Sequence, residues 1–164
     1  MKTVLLIRHA KSSWEDITID DFDRPLNDRG KNDAPEMAKR LLKRKQPIDA
    51  FISSPAKRAR KTALLFAEEY KFDKDKVKFQ DYLYHPSTEN FNKAIASAPD
   101  KADNIAIFSH NPGITAYANE LTDVKVDDMP TCAIFAVTAD IKHWEDFGNA
   151  ARKFLFFDYP KAIK

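Results

Sequence analysis

The sequence predicts an α/β protein whose mainly parallel, mixed central sheet is covered by helices on both faces. Three apolar segments have the pattern of buried strands, and each is followed by residues at helical spacing: 3–7, 50–53 and 104–109. Two late apolar segments, 131–138 and 153–159, have little helical pattern between them. We therefore expect these two to pair antiparallel at one side of the sheet. No internal repeat or linker interrupts the 164 residues, so we expect one domain spanning residues 1–164.

Capping residues predict where the helices begin. Asn27 is placed to cap a helix that continues towards residue 45, with apolar residues at helical spacing. Ser54 followed by Pro55 predicts the cap and the first residue of a second helix. A weak strand is expected around 77–79, a third helix opens at Ser87, and a fourth follows residues 110–113.

Composition excludes several classes of protein. A net charge of +2, from 27 basic and 25 acidic residues, argues against a nucleic-acid or anionic-membrane partner. The longest apolar run, 132–137, is far too short to span a membrane, and no secretory segment precedes Arg8. The one cysteine, Cys132, favours a reducing, cytoplasmic location, and its apolar surroundings predict a buried, inert thiol. Three glycines cannot form a glycine-rich nucleotide loop, so phosphate chemistry here must use side chains and helix ends.

The strand ends carry the residues best suited to such chemistry. Arg8 and His9 follow the first strand, Ser54 and Arg58 follow the second, and His110 follows the third. Parallel strands present their carboxyl ends at one edge of a sheet, where ligands bind. Arg58 lies near the start of its helix, where side chains lean back towards the strand ends. We therefore expect these side chains to meet around one anion.

Four ordered segments resemble the histidine phosphatase (phosphoglycerate mutase-like) superfamily. They are LIRHA at 6–10, RPLNDRG at 24–30, SPAKRARKTA at 54–63 and SHNPG at 109–113. The short chain and the Arg-Pro-Leu element look most like its small phosphohistidine phosphatase branch, the SixA type. The resemblance implies a three-layer α/β/α sandwich and a metal-independent phosphatase without a cofactor, which acts on a phosphorylated protein or a small phosphorylated substrate.

The resemblance also implies roles for individual residues. His9 would be the nucleophile and take the phosphoryl group onto a ring nitrogen. Arg8, Arg58 and His110 would hold the transferring oxygens. Arg24 would be a further phosphate contact, and its alternative is an ion pair with the acidic loop that precedes it. Neighbouring guanidinium charges would help to keep His9 unprotonated.

Two positions depart from the pattern of the superfamily, and the proton donor has no clear motif. Ala10 stands where the signature has glycine, which is acceptable if the backbone needs no positive φ. Glu15 stands where many mutase-like members have asparagine, so we expect no phosphate contact from it. Asp81 is the first candidate for the general acid and His85 the second. A phosphohistidine bond is already activated, so a weak or absent acid fits that substrate better than a sugar phosphate.

Other functions fit parts of the same pattern. One alternative is a small-molecule phosphomonoesterase or mutase of the same superfamily, and another is a phosphate- or phosphoprotein-binding module without turnover. Lys57, Arg60 and Lys61 next to Arg58 could bind nucleic acid, but the small net charge favours a solvated helix face. The oligomeric state and the physiological substrate stay open.

Overall fold

The computed structural model describes residues 1–162 and contains a six-stranded mixed sheet. The strands are β1 (Lys2–Arg8), β2 (Ala50–Ser53), β3 (Lys78–Phe79), β4 (Asn104–Ser109), β5 (Ile134–Ala139) and β6 (Arg152–Asp158). The helices are α1 (Asp28–Lys43), α2 (Lys57–Glu69), α3 (Thr88–Ala96) and α4 (Gly113–Leu121). Short 3-10 helices cover Asp21–Asp23, Lys74–Lys76, Asp81–Leu83 and Trp144–Asn149.

The sheet has the strand order β3-β2-β4-β1-β5-β6 and is mainly parallel. Strands β1 to β4 pair in parallel, whereas β5 runs antiparallel to both of its neighbours, β1 and β6. Alternate residues of β1 enter two separate hydrophobic cores, with Leu6 in one and Ile7 in the other. The first core contains Phe91 of α3, and the second contains Phe66 of α2. The three-layer α/β/α sandwich with a mixed sheet is therefore confirmed, as is the antiparallel pair at one side.

The predicted caps of α1 and α3 are confirmed, and that of α2 is wrong. The Asn27 side chain accepts a hydrogen bond from the Gly30 amide at 2.8 Å, and Ser87 forms a capping box with Asn90. Helix α2 begins at Lys57 instead of following Ser54 directly. The Ser54 side chain is fully buried and makes a contact far along the chain that the local pattern could not predict.

The late segment also differs from its prediction. Strand β5 begins at Ile134, because Cys132 adopts a left-handed φ of 62° that a strand cannot contain. The amide of Cys132 donates to the carbonyl oxygens of Arg8 and His9, at 3.1 and 3.0 Å. These two hydrogen bonds therefore hold the backbone in place at the end of β1. Cys132 is buried as predicted, and its burial raises the pKa of its thiol.

Within residues 1–162, no helix is both long enough and apolar enough to span a lipid bilayer.

Candidate active site

The sheet topology brings the three predicted strand ends together. Arg8 at the end of β1 pairs in register with Ser109 of β4, and Ser53 of β2 pairs with Phe108. Because the three strands are parallel neighbours, the residues that follow them share one edge. A cavity of about 200 Å³ opens there. The predicted residues that line it are Arg8, His9, Arg24, Arg58 and His110.

His9 is held as a neutral ring with one unprotonated nitrogen. Its side chain is buried, and Nδ1 lies 2.8 Å from the carbonyl oxygen of Ala10. A carbonyl can only accept, so Nδ1 carries the proton and Nε2 keeps its lone pair. Burial, with smaller contributions from Arg58, Arg8 and Arg24, lowers the pKa of His9 to about 3. The guanidinium charges thus act as predicted, although desolvation is the larger cause.

His110 is anchored from the opposite side by a buried serine. Its Nε2 lies 2.8 Å from Ser54 Oγ, which also accepts the amide of Ala56 at 3.2 Å. When the Ser54 hydroxyl donates to Nε2, the ring proton is on Nδ1. That Nδ1 atom is buried and has no partner among residues 1–162, so it is a donor available to an anion. The two imidazole centroids are 5.1 Å apart, and burial lowers the pKa of His110 to about 2.

Three arginines concentrate positive charge around the two rings. Arg58 is in the first turn of α2, and its Nε lies 3.4 Å from His9 Nε2. Arg8 donates from Nη1 to the carbonyl oxygen of Met129 at 2.8 Å, and burial lowers its pKa. Arg24 is 7% exposed, lines the cavity and has its guanidinium carbon 3.4 Å from the Trp14 ring centroid. Guanidinium groups match phosphate oxygens in geometry as well as in charge.

Asp21 is a site residue that sequence reasoning missed. Its Oδ2 accepts from Arg58 Nη2 at 3.0 Å and from the Tyr84 hydroxyl at 2.5 Å, and its Oδ1 accepts from Arg24 Nε at 3.2 Å. Partial burial raises its pKa, but the hydrogen bonds from Tyr84 and Arg58 prevail and lower it to about 2. Asp21 is therefore an ionised carboxylate on the same guanidinium groups that a phosphate would need. The only indication of this role in the sequence is that Asp21 belongs to an acidic segment just before Arg24.

Arg24 forms the ion pair with the acidic loop and also lines the cavity, while its contact with phosphate stays a prediction. Ala10 is not among the residues with a positive φ in the described chain, so alanine fits where the signature has glycine. Its amide donates to the Thr62 hydroxyl at 3.0 Å, which fixes the turn after His9. Glu15 is exposed and lies outside the cavity lining, as expected.

The structure does not bring Asp81 into the cavity. Asp81 is exposed and follows β3, which is the edge strand three positions from β1. From the same segment, Tyr84 reaches the site through its contact with Asp21. His85 is also exposed and packs against Tyr84 with ring centroids 4.0 Å apart. The assignment of Asp81 as general acid is therefore not supported by its position.

Comparison with known proteins supports the resemblance found in the sequence. The sequence profile of the histidine phosphatase superfamily (branch 1) matches residues 4–81, which include Arg8, His9, Arg24 and Arg58. This part of the chain therefore resembles the histidine phosphatase superfamily. Among curated relatives, an uncharacterized chloroplastic protein of Arabidopsis thaliana is 29% identical over 154 residues, 88% of this chain and 70% of that protein.

Solved structures have the same histidine phosphatase fold. The SixA protein from Agrobacterium tumefaciens aligns with a TM-score of 0.80 and 23% identity, covering 97% of this chain and 98% of that one. The protein histidine phosphatase SixA complexed with tungstate gives 0.81 and 20% identity, covering 96% and 97%. A mycobacterial glucosyl-3-phosphoglycerate phosphatase gives 0.69 and 16% identity, covering 99% of each chain.

Proposed function

We propose that this protein is a phosphohistidine phosphatase of the histidine phosphatase superfamily that forms a covalent phosphoenzyme at His9. The superfamily match and the phosphatases among its structural relatives support a phosphatase. The preference for a phosphoramidate bond is supported by the absence of aspartate and glutamate from the described residues that line the cavity.

The reaction divides into two displacements at phosphorus. In the first, the Nε2 lone pair of His9 forms a bond to phosphorus as the bond to the substrate's ring nitrogen breaks. That nitrogen departs with the electron pair of the broken bond and takes a proton from solvent. In the second, the oxygen of a water molecule attacks phosphorus and gives up a proton to solvent. The bond from phosphorus to Nε2 breaks, its electron pair returns to Nε2, and inorganic phosphate leaves. Because the pKa of His9 is about 3, its ring is neutral and ready to attack at neutral pH.

Negative charge is spread over the three equatorial oxygens of the phosphoryl group during each displacement. The site has hydrogen-bond donors that could stabilise this charge. Arg8, Arg58 and Arg24 would contact these oxygens, and Nδ1 of His110 would donate to one of them. The arginine contacts require the Asp21 carboxylate to give up its place on Arg58 and Arg24. Exchange of one anion for another keeps the buried charges compensated throughout.

The observation that carries the proposal is the lack of an acid in the cavity wall. Among the described residues that line the cavity, none is aspartate or glutamate. Two carboxylates of residues 1–162 contact lining residues from outside the lining. Asp21 is ionised at neutral pH because its pKa is about 2, and Asp128 accepts a hydrogen bond from Asn111. An alkoxide leaving group needs a proton donor, which is typically worth a factor of 10² to 10⁴. The ring nitrogen of phosphohistidine leaves more easily, so it suits a site without a strong acid.

The size of the site is consistent with a protein-borne phosphoryl group. The cavity of about 200 Å³ is smaller than the roughly 300–1,000 Å³ of sites that enclose small molecules. At its edge, Trp14 is 70% exposed, and the nearby Ile17 is 92% exposed. Such a site admits the phosphoryl group and leaves the rest of the substrate on the surface.

The test is a comparison of substrates at matched concentrations. A phosphohistidine peptide, phosphoramidate, a sugar phosphate and an aryl phosphate should be offered to the wild type, and kcat/KM should be measured by phosphate release. We expect the two substrates with a nitrogen–phosphorus bond to exceed the sugar phosphate by about 100-fold, the low end of what a general acid supplies. Preference for the sugar phosphate would instead assign the small-molecule alternative, and saturable phosphate binding without turnover would assign a binding module.

Two histidine variants separate the nucleophile from a general effect of substitution. His9→Ala should abolish turnover, whereas His143→Ala, which removes an exposed histidine outside the cavity lining, should retain it. Equal activity of the wild type and His9→Ala would contradict the assigned nucleophile.

A further inference from the structure

A second cavity, of about 410 Å³, lies between α1 and α2 and beside the phosphoryl site. We call it the basic groove. Four cationic side chains line it, namely Lys31, Lys57, Arg60 and Lys61. Apolar parts of its wall come from Leu26 and Leu64. The sequence suggested a solvated helix face for the three cations of α2, but Lys31 of α1 and the apolar wall turn that face into a concave surface.

The positive charge of the groove is not balanced locally. Within residues 1–162, none of its four cations forms a salt bridge, and the lining contains no aspartate or glutamate. Some other exposed cations are paired, as Lys39 is with Glu69 and Lys74 is with Glu68. A net charge of only +2 makes this concentration a local feature. Such a surface attracts anions and raises their rate of association.

The groove adjoins the phosphoryl cavity along two stretches of chain. Arg24 lines the phosphoryl cavity and the next residue, Pro25, lines the groove. In the same way, Arg58 lines the cavity and the preceding residue, Lys57, lines the groove. Neighbouring Cα atoms are about 3.8 Å apart, so the two linings come close to each other at these two points, although no residue of the described chain lines both. A chain whose phosphoryl group reaches His9 can therefore lie in the groove.

We propose that the basic groove binds an acidic, partly apolar segment of the protein substrate next to its phosphorylated histidine. The inference rests on the proposed function and adds to it which protein substrates are preferred. Carboxylates of such a segment complement the four cations, while its apolar side chains pack against Leu26 and Leu64. Single-stranded nucleic acid fits less well, because none of the described lining residues is aromatic and could stack on a base.

The experiment uses two peptides that differ only in the residues flanking one phosphohistidine. One peptide has several glutamates and a leucine on the same side, and the other has glutamines in place of the glutamates. The wild type should give kcat/KM about tenfold higher for the acidic peptide, as expected for two or three exposed charge pairs. The preference should shrink as NaCl is raised, because salt screens exposed charges.

Two variants of equal net charge show whether the groove is responsible. K31E/K61E reverses two cations of the groove, and K142E/K153E reverses two exposed lysines that do not line it. We expect K31E/K61E to lose the preference for the acidic peptide and K142E/K153E to retain it. All three proteins should hydrolyse phosphoramidate, which is too small to reach the groove, with the same kcat at saturation.

Each outcome separates the inference from the function on which it rests. Equal turnover of both peptides by the wild type, or loss of preference in both variants, would refute the role of the groove in substrate binding. The assignment of a phosphohistidine phosphatase would be unaffected. Competition by an oligonucleotide but not by the unphosphorylated acidic peptide would likewise refute this role of the groove, in favour of nucleic acid. Failure to hydrolyse phosphoramidate and both peptides would overturn the proposed function itself.

Discussion

Acid should weaken the fold through His9, because the folded protein holds this ring in its neutral form. Burial, reinforced by Arg58 and Arg8, lowers the pKa of His9 from 6.5 to about 3. In the unfolded chain the ring has its ordinary pKa, so below pH 6.5 the unfolded state binds a proton that the folded state does not. The stability contributed by the neutral ring is therefore present above pH 6.5 and is lost progressively as the pH falls towards 3.

The size of the effect follows from the two pKa values. Each pH unit below the unfolded pKa costs about 1.4 kcal/mol until the folded pKa is reached. Between pH 7 and pH 5, His9 alone should lower the free energy of unfolding by about 2 kcal/mol. His110, whose pKa burial lowers to about 2, contributes in the same direction.

The assay is urea unfolding of the wild type and His9→Asn at pH 7 and pH 5, without phosphate and followed by the fluorescence of the buried Trp144. The asparagine amide can still donate to the Ala10 carbonyl but does not titrate. The loss of stability between the two pH values should be about 2 kcal/mol smaller in the variant. Equal losses in the two proteins would refute the assignment of a neutral, buried ring.

A second histidine provides a control of opposite sign. The hydrogen bond to Asp100 raises the pKa of His143, so this pair contributes stability below pH 6.5 that is lost as the pH rises. His143→Asn should therefore lose more stability than the wild type between pH 7 and pH 5. A smaller loss in this variant would show that the pH dependence comes from elsewhere.

Three further substitutions test the contacts of the site and its support. Arg58→Lys keeps the charge but loses the guanidinium fork. We expect kcat/KM for phosphoramidate to fall by a factor of about 10² to 10³ at an unchanged melting temperature. A change below threefold would contradict the role of Arg58. Asp21→Asn removes the carboxylate that pairs with Arg58 and Arg24. Calorimetry should show tungstate binding about fivefold more tightly, which is the equivalent of one partly exposed ion pair. Unchanged or weaker binding would contradict the competition between Asp21 and a bound anion. Gly30→Ala would place a Cβ 2.1 Å from the carbonyl oxygen of Lys11. Urea unfolding should therefore show a free energy of unfolding lower by about 1–3 kcal/mol, despite the better helix propensity of alanine. An unchanged or higher free energy of unfolding would refute the close approach.

The sequence was informative where local pattern and packing agree. Strand β2 has the predicted bounds and β4 lies where it was predicted, because strands buried on both faces are mostly apolar. The convergence of Arg8, His9, Arg58 and His110 follows from parallel strand order, which the alternation of strands and helices predicts. The expectation of one domain spanning residues 1–164 stays a prediction.

The remaining features depend on contacts between distant parts of the chain. Ser54 and Pro55 have the local pattern of a helix start, but the serine hydroxyl bonds to His110, 56 residues away. Asp21 gains its place from Arg58 and Tyr84, whose positions only the fold determines. Periodicity could not predict the basic groove either, since one helix alone shows a solvated basic face.

The central claim is that His9 carries the phosphoryl group, and the most direct test is to isolate that intermediate. The protein should be mixed with phosphoramidate, quenched within milliseconds in alkali, in which phosphohistidine is stable, and digested for mass spectrometry. We predict an acid-labile phosphate on the peptide that contains His9, with no more than one per chain, and its absence from His9→Asn. Steady turnover without this label, or a label on His110 in its place, would contradict the claim.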